Sequence, residues 1–228
     1  MRLIALETAT ERCSAALWLD GELLDTGEVA PRRHGELILR QIEALLARAG
    51  VARSSLDGVA VGRGPGAFTG VRLGLGVAQG LAFALERPVV PVSTLLALAQ
   101  QALRDPDTRP DAVLAALDAR MGEVYWSLCP VQGERVGLGP EQVAAPESLV
   151  VAWPVGERYG LGSAFATFPD LAAAQGLASE AVDADALPDA QEVALLAVDA
   201  WERGEAVAPE DAQPVYVRDD VARPASPR

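Results

Sequence analysis

"LIALETATERCSAALWLDGELL" spans residues 3–24, and "AVLAALDARMGEVYWSLCPVQGERV" spans 112–136. Each begins with an apolar run that ends in an acid, Glu7 or Asp118. A short polar stretch and a second apolar run follow, and each then turns at a glycine, in "DGE" at Asp20–Glu22 and in "QGE" around Gly133. The acids are 111 residues apart (118 − 7) and the turn glycines 112 (133 − 21). Three features in register predict an internal duplication of a strand–turn–strand–turn unit.

The chain outward from this repeat fits two halves. Strands are predicted at 2–7, 13–19 and 22–29. Ile38, Ile42, Leu45, Leu46 and Ala49 recur at helical spacing and predict a helix over 34–49, stopped by Gly50. Further strands are expected at 56–62 and 88–93, and helices at 70–85 and 94–103. The proline- and charge-rich "RDPDTRPD", 104–111, reads as a hinge. The expected organisation is a first subdomain over 1–104, a second over 105–220 with an amphipathic helix near 190–204, and a disordered tail over 221–228. Two such units of mixed strands and helices resemble the actin, Hsp70 and sugar-kinase (ASKHA) fold. In that fold two domains close on ATP, and acid-bearing turns hold its phosphates and magnesium.

Composition bounds the chemistry. The chain has 228 residues, net charge −13 and mean hydropathy +0.17. So acidic a protein offers no electrostatic footprint for nucleic acid or anionic lipid. "MRLIALETATERC" is charged too early for a signal peptide, no apolar run is expected to span a membrane, and the expected compartment is the cytoplasm. Cys13 and Cys129 read as free buried thiols.

The glycine-rich "GRGPGAFTGVRLGLG", 62–76, invites a phosphate-loop reading but lacks the lysine that a Walker loop requires. It is left as a strand-to-helix turn, or as a weak anion site at a helix start. "ETATER" offers Glu7, Thr8 and Thr10 as weak nucleotide candidates, without a glycine to admit phosphate. "DARMGE" offers Asp118, with its glycine late. His34 is the chain's one histidine. Alone it makes neither a zinc site nor a recognisable triad, and an exposed first-turn position is expected. No metal and no cofactor are expected.

The helix at 70–85 is thin on two sides: Gly74, Ala78 and Ala82 share one face, and Gly76, Gly80 and Ala84 another. Interior glycines cost about 0.8–1 kcal/mol each against alanine, so close packing must offset them. One face is expected on the domain's own sheet and the other against a partner helix. The expected partner surface comprises Leu37, Gly70, Leu73, Gly74, Val77 and Leu81.

"LIALETATERCSAALW", "HGELILRQIEALL", "GVAVGRGPGAFTGVRLGLGVAQGLAFALERPVVPVSTLLALA", "ALDARMGEVYW" and "PVYVR" together resemble the TsaB (YeaZ) family. The resemblance spans nearly the whole chain and is most specific over 58–99. It implies a non-catalytic subunit that pairs with its catalytic paralogue TsaD and works with the ATPase TsaE. That machinery makes threonylcarbamoyladenosine on tRNAs reading ANN codons, at adenosine 37. The tRNA is met only through the complex, and the sequence leaves open whether the isolated subunit is a homodimer or a monomer. The resemblance also sets "STLLAL", Ser93–Leu98, where the paralogue carries its metal-binding histidines, with Thr94 and Leu98 at their positions. Many family members carry aspartate where Glu7 stands. The rivals from other classes are an ATP-binding or ATP-hydrolysing actin-fold enzyme and a glycoprotease-like peptidase.

Overall fold

A computed structural model describes residues 1–106 and 108–218. In chain order the elements are β1 (Arg2–Glu7), β2 (Arg12–Leu19), β3 (Glu22–Val29), α1 (His34–Ala49), β4 (Gly58–Gly62), α2 (Phe68–Leu85), β5 (Val89–Val92) and α3 (Thr94–Gln100). The second half supplies β6 (Ala112–Arg120), β7 (Glu123–Gln132), β8 (Arg135–Val136), β9 (Gln142–Ala144), β10 (Arg158–Leu161), α4 (Ala164–Thr167), α5 (Leu171–Ala174), β11 (Val182–Asp183) and α6 (Ala190–Glu202). The predicted disordered tail lies outside the described residues.

The duplication is real at the level of topology. The first sheet runs β3-β2-β1-β4-β5 and the second β8-β7-β6-β10-β11, with β9 added beside β7. In each, the opening hairpin is antiparallel and its first strand pairs in parallel with the strand that follows a crossover, β1 with β4 and β6 with β10. This is the two-lobed actin-like α/β architecture expected from the repeat.

Strand alternation sorts the core. Ile4, Leu6, Leu17, Val59 and Val61 face α1 and α2. Leu3, Ala5, Ala16, Ala60 and Val90 face the other way, against Ala190, Val193, Ala194 and Ala197 of α6. Thus α6, late in the sequence, covers the first sheet. Reciprocally, Leu95, Leu98 and Ala99 of α3 pack on Val113, Ala115 and Leu117 of the second sheet. The two halves exchange their last helices. A boundary at 104/105 therefore separates the sheets but not the packing units, because 190–216 returns to the first lobe.

Polar contacts fix this return. Ser14 Oγ accepts from Ala190 N–H at 2.9 Å, and Arg12 Nε donates to Asp189, the N-cap of α6, at 2.6 Å. Arg104, at the start of the predicted hinge, grips buried Glu192 with two bonds. Farther on, Val207 pairs with Val89, and Gln79 of α2 donates to Ala212 O. Gly50 ends α1 in the left-handed region, φ 63°, as expected of a C-terminal glycine. Cys13 and Cys129 are free and buried.

Candidate functional site

The glycine-rich segment grips its own chain. A Cβ added to Gly62 would stand 2.0 Å from Glu7 Oε2. At Gly66 it would meet Ala9 O at 2.5 Å, at Gly70 Thr8 O at 2.2 Å, and at Gly74 Thr8 Oγ1 at 2.5 Å. Every fourth residue from 62 to 74 is a glycine because the β1–β2 turn presses against the loop and the start of α2. Ala67 N–H donates to Ala9 O at 2.7 Å, and Thr8 Oγ1 donates to Gly70 O at 2.8 Å. The loop geometry that suggests a phosphate cradle is occupied by backbone.

Two of the weak nucleotide candidates are spent in the same contact. Glu7 is fully buried, and its carboxylate accepts from Ala9 N–H at 2.7 Å and from Thr94 Oγ1 at 3.1 Å. Burial pushes its pKa up to about 7, while the bonds from Ala9 and Thr94 pull the other way. Thr8 is buried on Gly70. Thr10 borders the space between the lobes, and its Oγ1 is buried with no hydrogen-bond partner among the described residues.

On the opposite turn Asp118 is held by Arg120, whose backbone N–H and Nη1 both reach the carboxylate at 2.8 Å. Left-handed backbone at Arg120, Met121 and Gly122 shapes this turn. Arg120 Nη2 crosses to Glu11 of the first turn at 2.6 Å. A guanidinium therefore lies between the acids of the two repeated turns. Thr94, one of the two positions that the family resemblance sets at the paralogue's metal-binding histidines, accepts from Gly64 N–H and donates to Glu7. Leu98, the other, is buried in the second lobe's core.

Three partner-surface expectations are corrected by packing. Gly74 and Gly70 face the β1–β2 turn of their own chain, where no partner helix can reach them. Leu37 is buried in the core under α1, since its position falls on the same stripe as Ile38 and Leu45. Val77 and Leu81 are half-buried against that core, and Leu73 is half-exposed. The open thin face is the other one: Gly76 and Gly80 have nothing within 4 Å of an added Cβ. His34 is also corrected. It does open α1, but it is buried, with Nε2 3.3 Å from Arg12 O.

Helix α2 departs from one more expectation. It is 18 residues long with hydropathy 1.4, enough by length and composition to cross a membrane, yet only 28 % of it is buried. Its buried residues, Val71, Gly74, Leu75, Ala78 and Ala82, form one stripe on the first sheet. The rest is an apolar surface with Phe83 77 % exposed.

The family model for tRNA N6-adenosine threonylcarbamoyltransferase, TsaD, matches residues 26–226. The tRNA threonylcarbamoyladenosine biosynthesis protein TsaB of Escherichia coli is 40 % identical over 227 residues, covering 97 % of this chain and 96 % of its own. The chain belongs to the TsaB family. Its Haemophilus influenzae member is 36 % identical, with 97 % and 95 % covered. YeaZ from Pseudomonas aeruginosa superposes with a TM-score of 0.87 at 46 % identity, covering 94 % of this chain and 99 % of that one. A Pseudomonas aeruginosa structure described as similar to the peptidase YEAZ matches equally, with a TM-score of 0.87 at 45 % identity over 95 % of this chain and 99 % of that one.

Sequence reasoning had seen both thin faces of α2. It missed which one faces inward, because that depends on Thr8, some sixty residues earlier in the chain. It also missed Arg120 as a bridge, since the partner Glu11 belongs to the other repeat.

Proposed function

We propose that this chain is the accessory, non-catalytic subunit for threonylcarbamoyladenosine formation on tRNA, and that it pairs with the TsaD paralogue through the outer face of α2. The observation that carries this reading is an apolar helix with most of its surface uncovered and with Gly76 and Gly80 open to close approach. Leu73, Val77 and Leu81 border that face, and Phe83 stands out from it. On the neighbouring α1, Leu39 is 56 % exposed, so two helices from each partner can meet. A contact of this kind is dominated by a few central residues.

The state of the turns supports the non-catalytic part. Glu7 is buried in hydrogen bonds to its own chain, and Asp118 is matched by Arg120. The chain then needs no cofactor of its own. The ATPase TsaE supplies ATP turnover, and the acidic chain meets tRNA only through its partners, in the cytoplasm. The same open face accounts for self-association when the paralogue is missing.

The test is a pull-down with the paralogue, using Gly76→Leu and Gly80→Leu chains checked by thermal melting. Both should fold, and each should lose about 2–4 kcal/mol of affinity, the scale of interface hot spots. Full-strength binding by a folded double variant would sink the proposed face. ATP turnover by the lone chain that vanishes in Asp118→Asn would replace the scaffold reading with an enzyme.

A further inference from the structure

A cavity of about 510 Å³ lies between the lobes, bounded by the β1–β2 turn, the β4–α2 loop and the β6–β7 turn. That volume is in the range of small-molecule pockets. Pro65 and Val71 wall it from the first lobe, and Leu117, Ala119 and Tyr125 from the second.

The charges at the rim are unequal. Glu11 and Asp118 are both matched by Arg120, and Arg218 pairs with Glu123. Arg72 is different. Its guanidinium lies 3.5 Å from the ring centroid of Phe68, and its Nε donates to Tyr216 Oη at 2.7 Å. Among the described residues no carboxylate lies within ion-pair distance of it. The cleft thus presents an apolar interior with one cation at its mouth that has no acid partner.

We infer that this cleft binds a compact apolar molecule with a single anionic head group, a carboxylate or sulfonate, whose body fills the cavity and whose head meets Arg72. A nucleoside triphosphate is the wrong shape of charge. The acids that would hold its metal are buried or matched, and one arginine does not balance a chain of phosphates. The inference shares α2 with the partner-subunit reading, since Arg72, Gly76 and Gly80 fall at four-residue spacing on one stripe; the probe titration of the lone chain and the pull-down with the Gly76→Leu and Gly80→Leu chains test the two separately.

The probe is 1-anilinonaphthalene-8-sulfonate, titrated by fluorescence against the full chain. One molecule per chain should bind, with a Kd on the order of micromolar. Ala166→Trp, at an exposed position on the cavity rim, should weaken binding at least about tenfold, or roughly 1.4 kcal/mol. Thr167→Trp, exposed on the same rim, serves if that chain does not fold. Arg72→Gln should weaken the sulfonate probe by a similar factor and leave N-phenyl-1-naphthylamine, the same rings without the charge, unaffected. Absence of saturable binding, full binding by a folded rim variant, or equal loss of both probes in Arg72→Gln would each overturn the inference. Displacement of the probe by micromolar magnesium-ATP would make the cleft a nucleotide site and overturn it too.

Discussion

The two halves share their strands and differ in what covers them. On the outer face of the first sheet lie α1 and α2, 16 and 18 residues long. At the place of α2 the second half has only α4 and α5, four residues each, and at the place of α1 it has β9 and irregular chain. Their opening turns differ as well. Glu7 is sealed beneath the glycine loop, whereas Asp118 sits near the mouth of the cleft with Arg120. A duplicated sheet is thus a frame on which helices and turns have diverged. The half that keeps long helices is also the half with an apolar helix left mostly uncovered.

The strongest test of this comparison is to separate the halves. A fragment of residues 1–104 keeps α1 and α2 but loses α6, which leaves Leu3, Ala5, Ala16, Ala60 and Val90 uncovered. It should show no cooperative unfolding by circular dichroism. A sharp transition from this fragment would mean that the lobes are independent after all.

The two faces of α2 come next. Gly74→Leu forces a side chain into Thr8 and should destabilise the fold by about 1–3 kcal/mol, as overpacking does. Gly76→Leu, in open space, should leave stability unchanged or raise it by about 0.5–1 kcal/mol, since an interior helical glycine is replaced. Urea unfolding of the two variants would break the assignment of faces if their order were reversed.

A third test sets Glu7 apart from Asp118. The folded chain holds the Glu7 proton up to about pH 7, while an ordinary glutamate releases it near 4.5. Stability from this group is full below about pH 4.5, falls as pH rises, and levels off above about pH 7, a loss of roughly 3 kcal/mol. Glu7→Gln should flatten that slope. The wild-type slope persisting in Glu7→Gln would place its origin elsewhere. Arg120→Ala is the smallest effect. Arg120 is 71 % exposed, so cutting its bridge between Glu11 and Asp118 should cost no more than about 1 kcal/mol in thermal melting.

Much of the frame was legible because it is local. The repeat predicted both opening hairpins, and apolar spacing gave α1, α2 and α6 to within two residues at their ends. The segment 137–189 was hardly readable. Its strands β9, β10 and β11 have three, four and two residues, too short to show a period. The site was harder. Gly70 and Gly74 were correctly seen as demanding close approach, but the approaching group is the turn at Thr8. Leu37 sits where helical spacing alone leaves a residue at the margin of the stripe, and the bundle under α1 decided it. The helix exchange was not visible at all, because periodicity shows that a helix has an apolar face and not which sheet receives it.

That exchange sets an order of events at the ribosome. The first sheet is complete once β5 has emerged, but its inner face waits for α6, about a hundred residues later. At ~5–20 residues per second the wait is roughly 5–20 s. During it, Leu3, Ala5, Ala16, Ala60 and Val90 lack the cover that α6 gives them. A nascent chain of this protein should therefore be a client of ribosome-associated chaperones until its last helix is made.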